Sequence, residues 1–124
     1  MIVSKSKYRF CKVFVKGGES DALMAMLATL LDGHFQRHSM FLRGFVVDVR
    51  RNPDAADAAD PGDDFVRWPV LVELEAEEEV GERALAEAAA EILRALWDAG
   101  YPAVAACDFE DELPWSGGIQ RLHG

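Results

Sequence analysis

Apolar residues along this chain recur at period two, then 3.6, then two again, and the order of those changes restricts the fold more than any motif does. From Tyr8 to Lys16 the side chains alternate, with Tyr8, Phe10 and Phe14 on one face and Cys11, Val13 and Val15 on the other. Period two in β-favouring residues predicts a strand. Gly17-Gly18 then makes a turn, and Ser20 stands as the N-cap of a helix. Leu23, Met26, Leu27, Leu30 and Leu31 follow at helical spacing until Gly33 stops them. Alternation returns over Met40 to Arg50, with Phe41, Phe45, Val47 and Val49 on one side. Gly44 and Asp48 on its other side mark this second strand as half exposed, as an edge strand is. A third strand is expected over Phe65 to Glu75, turning Val66, Trp68, Val70, Val72 and Leu74 to the core. Pro69 has no amide hydrogen, so regular pairing begins beyond it. Glu77 to Glu79 lead into a second helix, from about Glu82 to Asp98, and suit the positive end of its dipole. Leu85, Ala89, Ile92, Leu93 and Leu96 form its buried stripe, Gly100 and Pro102 stop it, and Ala103 to Asp108 is a short fourth strand.

Strand, helix, strand, strand, helix, strand is the split βαβ order. Right-handed crossovers place both helices on one face of a four-stranded antiparallel sheet, in spatial order 4-1-3-2. The expected class is therefore α+β, ferredoxin-like βαββαβ, in a single domain over residues 1–124. The opposite sheet face is left open. If Tyr8, Phe10 and Phe14 lie there, they form a binding surface or an oligomer interface; if the strand is turned over, they are core. A homodimer through the sheet is expected, because an open edge or an aromatic face is costly to leave in water.

A chain of 124 residues, half of them apolar, can build a core without disulfides or a structural metal. No apolar run approaches the roughly 20 residues of a membrane span. Arg9, Lys12 and Lys16 interrupt the first apolar stretch, so it does not read as a signal peptide, and the expected location is cytoplasmic. Cys11 and Cys107 are far apart, form no CxxC pair and sit in apolar runs, which favours buried thiols over a disulfide or a nucleophile. The formal net charge is −9. It is unevenly spread: residues 1–53 carry nine Lys/Arg against four Asp/Glu, and residues 54–124 carry four against eighteen. A net acidic chain repels phosphate backbones, so nucleic acid is not the expected partner. Mutual neutralisation of the two halves within the fold is the other use of such an asymmetry.

Most candidate chemistry fails on spacing. His34 and His38 are four apart, but Gly33 should end the helix before them and HExxH is absent. The segment Asn52 to Asp64 reads as an acidic mobile loop, and Asp54, Asp57, Asp60, Asp63 and Asp64 do not keep the alternation of a calcium loop. Gly17-Gly18 lacks the rest of a phosphate-binding motif, and Ser116 lacks a nucleophile elbow. The third strand, FVRWPVLVE, does not match the aromatic and basic pattern of an RNA-binding sheet. No metal and no cofactor are expected.

The strongest constellation is CDFEDELPW, residues 107–115, at the head of an acidic C-terminal segment and tail, 109–124. Asp108, Glu110, Asp111 and Glu112 with Trp115 nearby have the makings of a surface for a basic protein, since charge steers and an aromatic anchors. The alternative is a solvated tail whose Phe109 and Trp115 fold back onto the core. The run AVAACDFEDELP, with RWPV before the third strand and YRF in the first, resembles small uncharacterised proteins of high-GC bacteria. Length and element order are similar to those of immunity proteins that neutralise toxins. That resemblance implies a non-enzymatic binding role and points to Asp108, Glu110, Asp111, Glu112 and Trp115. A dimeric ferredoxin-like domain that binds or converts a small molecule remains the alternative.

Overall fold

The computed structural model describes residues 7–55, 62–77, 79 and 81–123. It is a mixed α+β fold with one antiparallel sheet and, among the described residues, five strands and three helices. The strands are β1 (Phe10–Val15), β2 (Ser39–Leu42), β3 (Phe45–Arg51), β4 (Val70–Ala76) and β5 (Ala103–Ala106), in spatial order β2-β3-β4-β1-β5. The helices are α1 (Ser20–Leu31), α2 (Gly81–Asp98) and the single turn α3 (Ile119–His123).

The number of strands departs from the expectation of four. What reads as one strand over residues 40–50 is a hairpin. Arg43 and Gly44 take φ of 49° and 83°, a two-residue left-handed turn that matches the twist of the flanking strands. The turn reverses the chain, so Leu42 faces Phe45, Phe41 faces Val46 and Met40 faces Val47. Phe41 is thereby placed on the opposite face from Phe45 and is 64 % exposed. The residues expected to form an edge strand split: β2 is the edge, and β3 is paired on both sides. The Gly44 carbonyl accepts the Glu77 amide at 2.9 Å, tying the hairpin to the start of α2.

Cys11, Val13 and Val15 of β1, with Phe45, Val47 and Val49 of β3, are fully buried against Leu23, Leu27, Leu31, Leu85, Ile92 and Leu96 of the helices. The aliphatic set of β1 is thus the core set. Phe10 and Phe14 point the other way, while Tyr8, before the strand, turns onto the Phe109 ring with centroids 5.3 Å apart. Helix α1 starts at Ser20, with Glu19 as its cap, and its left-handed C-terminal residue is Asp32 rather than Gly33.

The face away from the helices is crossed by rows of side chains in register: Phe41, Val46, Glu75 and Phe10 in one, Ser39, Asp48, Glu73, Lys12 and Ala106 in the next. In the third row, Arg50, Leu71, Phe14 and Val104, all but Arg50 are covered. There Trp68 is fully buried on Phe14, Leu71 and Val104, joined by Phe65 and by Leu122 of α3. Trp68 therefore packs on the far side of the sheet from α1 and α2, and Val66, expected inside, is 46 % exposed. Both lie at the turn Phe65–Arg67 and its exit, where strand pairing has not begun, and β4 starts just after Pro69. Asn52, 2 % exposed, fastens this cap: its Nδ2 donates to the carbonyls of Val66 and Trp68, both at 2.8 Å, and its Oδ1 accepts the Asp54 amide. The described ends of the aspartate-rich segment are held further by Trp68 Nε1, which donates to the Gly62 carbonyl at 2.9 Å. Asp57 and Asp60 lie outside the described residues. Among the described residues, no helix is long and apolar enough to cross a membrane.

Candidate functional site

Leaving β5, the chain makes three short turns before α3. Phe109 and Leu113, 1 % and 6 % exposed, are driven into the core and bracket the turn Glu110–Glu112. Burial of two large side chains four residues apart forces the intervening acids outward. The Glu112 and Leu113 amides close the turn on the carbonyls of Phe109 and Glu110 at 2.9 and 3.1 Å. Asp108 and Asp111 are exposed and Glu110 is half-buried. Among the described residues, none of these three carboxylates makes an ion pair.

Glu112 differs. Lys7 forms an ion pair with it, and the Tyr8 hydroxyl donates to its Oε1 at 2.8 Å. Hydrogen bonds from Lys7 and then Tyr8 hold its carboxyl below the usual carboxylate range. The same contact with Glu112 raises Lys7 and Tyr8 above their ordinary values. The basic N-terminal stretch thus neutralises one acid of the four, a partner 104 residues from Tyr8 in sequence that spacing does not reveal.

The next turn, Pro114–Gly118, carries four consecutive left-handed residues: Trp115 (φ 55°), Ser116 (50°), Gly117 (78°) and Gly118 (102°). Gly117 and Gly118 lie flat on β5. A β-carbon on Gly118 would run into the Ala103 carbonyl oxygen, and one on Gly117 would stand 3.0 Å from that of Ala105. The glycines cover the strand while Trp115, 52 % exposed, is thrown outward. Phe109 does fold back to cap the core; Trp115 does not. The Arg121 guanidinium lies 4.7 Å from the Trp97 ring centroid and 5.9 Å from that of Trp115. It stacks between the two indoles and, among the described residues, makes no ion pair with a carboxylate. A shallow cleft of about 320 Å³ between Arg94, Trp97 and Trp115 adjoins the stack.

The structure therefore brings Asp108, Glu110, Asp111 and Glu112 together on one corner and sets Trp115 one turn further along, against a cation. A second concavity, of about 610 Å³, lies on the open sheet face between Lys7, Arg9, Phe10, Lys12, Val66 and Asp108. Sequence reasoning missed it because Val66 and Asp108 come from distant segments. Arg9 is engaged there by Glu82 at 3.6 Å and by the Ala76 carbonyl. His34 and His38 are exposed between α1 and β2, and Gly17-Gly18 packs under the Tyr101 ring. Among the described residues, no three His, Cys, Asp or Glu side chains gather as a metal ion would require.

Comparison with family models, with curated proteins and with solved structures finds no match.

Proposed function

We propose that this domain is a non-enzymatic binding protein, immunity-like in kind, that engages a basic protein partner through the corner from Asp108 to Trp115. The observation that carries the reading is the backbone at Trp115. A non-glycine residue in left-handed conformation costs on the order of 1–3 kcal/mol, and Trp115 and Ser116 are two in succession. Covering β5 needs only the two glycines. Presenting a large indole to solvent is what the strain accomplishes beyond that. Asp108, Glu110 and Asp111, without ion pairs among the described residues, supply a field that speeds encounter with a cationic surface. Trp115 supplies the desolvated anchor that slows release.

The ferredoxin-like description belongs with this reading. Strands β3-β4-β1-β5, with α1 and α2 as crossovers, support it, and β2 is then an added edge. A cytoplasmic setting suits two free thiols. A homodimer is the second reading for one surface, because Phe41 stands exposed on edge strand β2. The small-molecule alternative has the groove beside Lys12 and Phe10 in its favour, where an anionic ligand would find a cation and a ring.

The test takes a basic protein captured on the immobilised full chain from a lysate of the cells that make it and titrates that protein, purified, against the chain. Titration at low and high salt is expected to show binding that weakens as salt rises. Glu110→Gln with Asp111→Asn is expected to slow association, and Trp115→Ala to speed dissociation. No binding, or binding unchanged in both variants, contradicts the proposal.

A further inference from the structure

Cys11 and Cys107, at opposite ends of the chain, meet in the fold. The β1–β5 register ends with Lys12 paired to Ala106, and continuing it by one residue sets Cys11 against Cys107. Directly opposed residues in antiparallel strands have Cα atoms about 4.5–5.5 Å apart, within the roughly 4.4–6.8 Å that a disulfide spans. Both side chains pack in the core cluster between the sheet and the helices, and hydrogen bonding between the two sulfurs favours the proton on Cys11. Cys11 is fully buried, whereas Cys107 is half-buried at the edge of the same cluster. We propose that Cys11 and Cys107 form a modification site, a dithiol that small disulfides convert to an intramolecular cross-strand disulfide with Cys107 as the attacking sulfur. This rests on the sheet register and is independent of the binding role proposed above.

The assignment of roles follows from access and hydrogen bonding. The bond from Cys11 lowers the Cys107 thiol, and the Phe109 amide, which donates to the same sulfur, adds to it. The same bond and then burial raise Cys11, which keeps its proton. Glu110 and Asp108 oppose a thiolate at Cys107, so they disfavour an approaching anion. A neutral disulfide is the fitting co-reactant. Cys107 releases its proton to water and attacks one sulfur, forming a mixed disulfide and expelling the first thiolate. Cys11 then gives its proton to solvent and attacks Cys107 Sγ, closing the bond and expelling the second thiolate. Two protein thiols are oxidised as one external disulfide becomes two thiols. The bridge joins β1 to the exit of β5 and closes nearly the whole domain into a loop, which raises the melting temperature.

The experiment treats the full chain with 2-hydroxyethyl disulfide, traps remaining thiols with a maleimide under denaturing conditions, and reads intact mass and linked peptides. The expected product is a monomer lighter by two hydrogens, with no trapped thiol and a Cys11–Cys107 peptide. Cys11→Ser is expected to stop at the mixed disulfide on Cys107, and Cys107→Ser to leave Cys11 unreacted until unfolding. Two free thiols in the treated wild-type chain, a lasting mixed disulfide on it, or a linkage between chains would overturn the proposal. The wild-type result decides even if a variant folds poorly.

Discussion

Two segments of this chain have much the same composition and opposite fates. Five aspartates lie between Asn52 and Asp64, and four carboxylates lie between Asp108 and Glu112; each segment is followed by a tryptophan within four residues. Yet Trp68 is fully buried with its indole N–H bonded, while Trp115 is half exposed on a left-handed backbone. The difference lies in what surrounds each ring. The first segment has Asn52, which threads the carbonyls of Val66 and Trp68 and pulls the indole onto Phe14, Leu71 and Val104. The second delegates burial to Phe109 and Leu113, which leaves its tryptophan free to face outward. Acidic loops with an aromatic are thus not one kind of object. One closes the uncovered end of the sheet, and the other presents a surface.

The contrast predicts unequal responses to substitution. Trp68→Ala should lower unfolding free energy by about 3–5 kcal/mol, the range for removing a buried aromatic. Asn52→Ala should cost somewhat less, about 1–3 kcal/mol for the buried Trp68 carbonyl left unpaired. Denaturant titration measures both, and a Trp68→Ala cost near zero would dissolve the distinction. Gly118→Ala should follow, destabilising by roughly 1–3 kcal/mol because the new methyl meets the Ala103 carbonyl at a φ that side chains avoid. Trp115→Ala should shift stability by no more than about 0.5 kcal/mol, as surface changes do, despite removing a larger side chain than Gly118→Ala adds. A loss of several degrees in melting temperature on Trp115→Ala would mean that its ring supports the fold.

The smallest expected effect concerns pH. Glu112 has its carboxyl lowered by Lys7 and Tyr8, so the unfolded chain binds its proton more readily. Its contribution is present above the unfolded value and is lost as pH falls through the folded one. Lys7 and Tyr8 are raised, so their contributions hold below their unfolded values and fade as pH rises through the folded ones. Tyr8→Phe removes one of the two hydrogen bonds to Glu112. Its stability curve should drop less steeply than that of the parent at acid pH, a small change since these groups are solvent-exposed. An acid limb identical to the parent's would show that the contact is not made in solution.

The two alternating sets of β1, the stripes of α1 and α2, and the start of β4 after Pro69 were legible because each repeats a short period in strongly apolar residues, whereas periodicity leaves open which set of β1 faces the helices. The hairpin was not. Phe41, Phe45, Val47 and Val49 keep one parity straight through the turn, and Arg43-Gly44 lacks the asparagine or aspartate that usually signals a left-handed pair. The carboxylates of the candidate site were legible as a cluster from composition alone. Their differing surroundings were not, because Lys7, Tyr8 and the Cys11 thiol reach this corner from the far end of the chain. Nor does a run of letters disclose that Trp115 takes the φ of a glycine.

The measurement that bears most directly on the proposed surface is the dissociation rate of the captured basic protein, compared between wild type and Trp115→Ala. Stability of the two chains would be matched beforehand by denaturant titration. An exposed anchor predicts that dissociation quickens at least about tenfold, a loss of some 1.4 kcal/mol or more, with the association rate and its salt dependence unchanged. Equal dissociation rates, with the variant as stable as the parent, would contradict it.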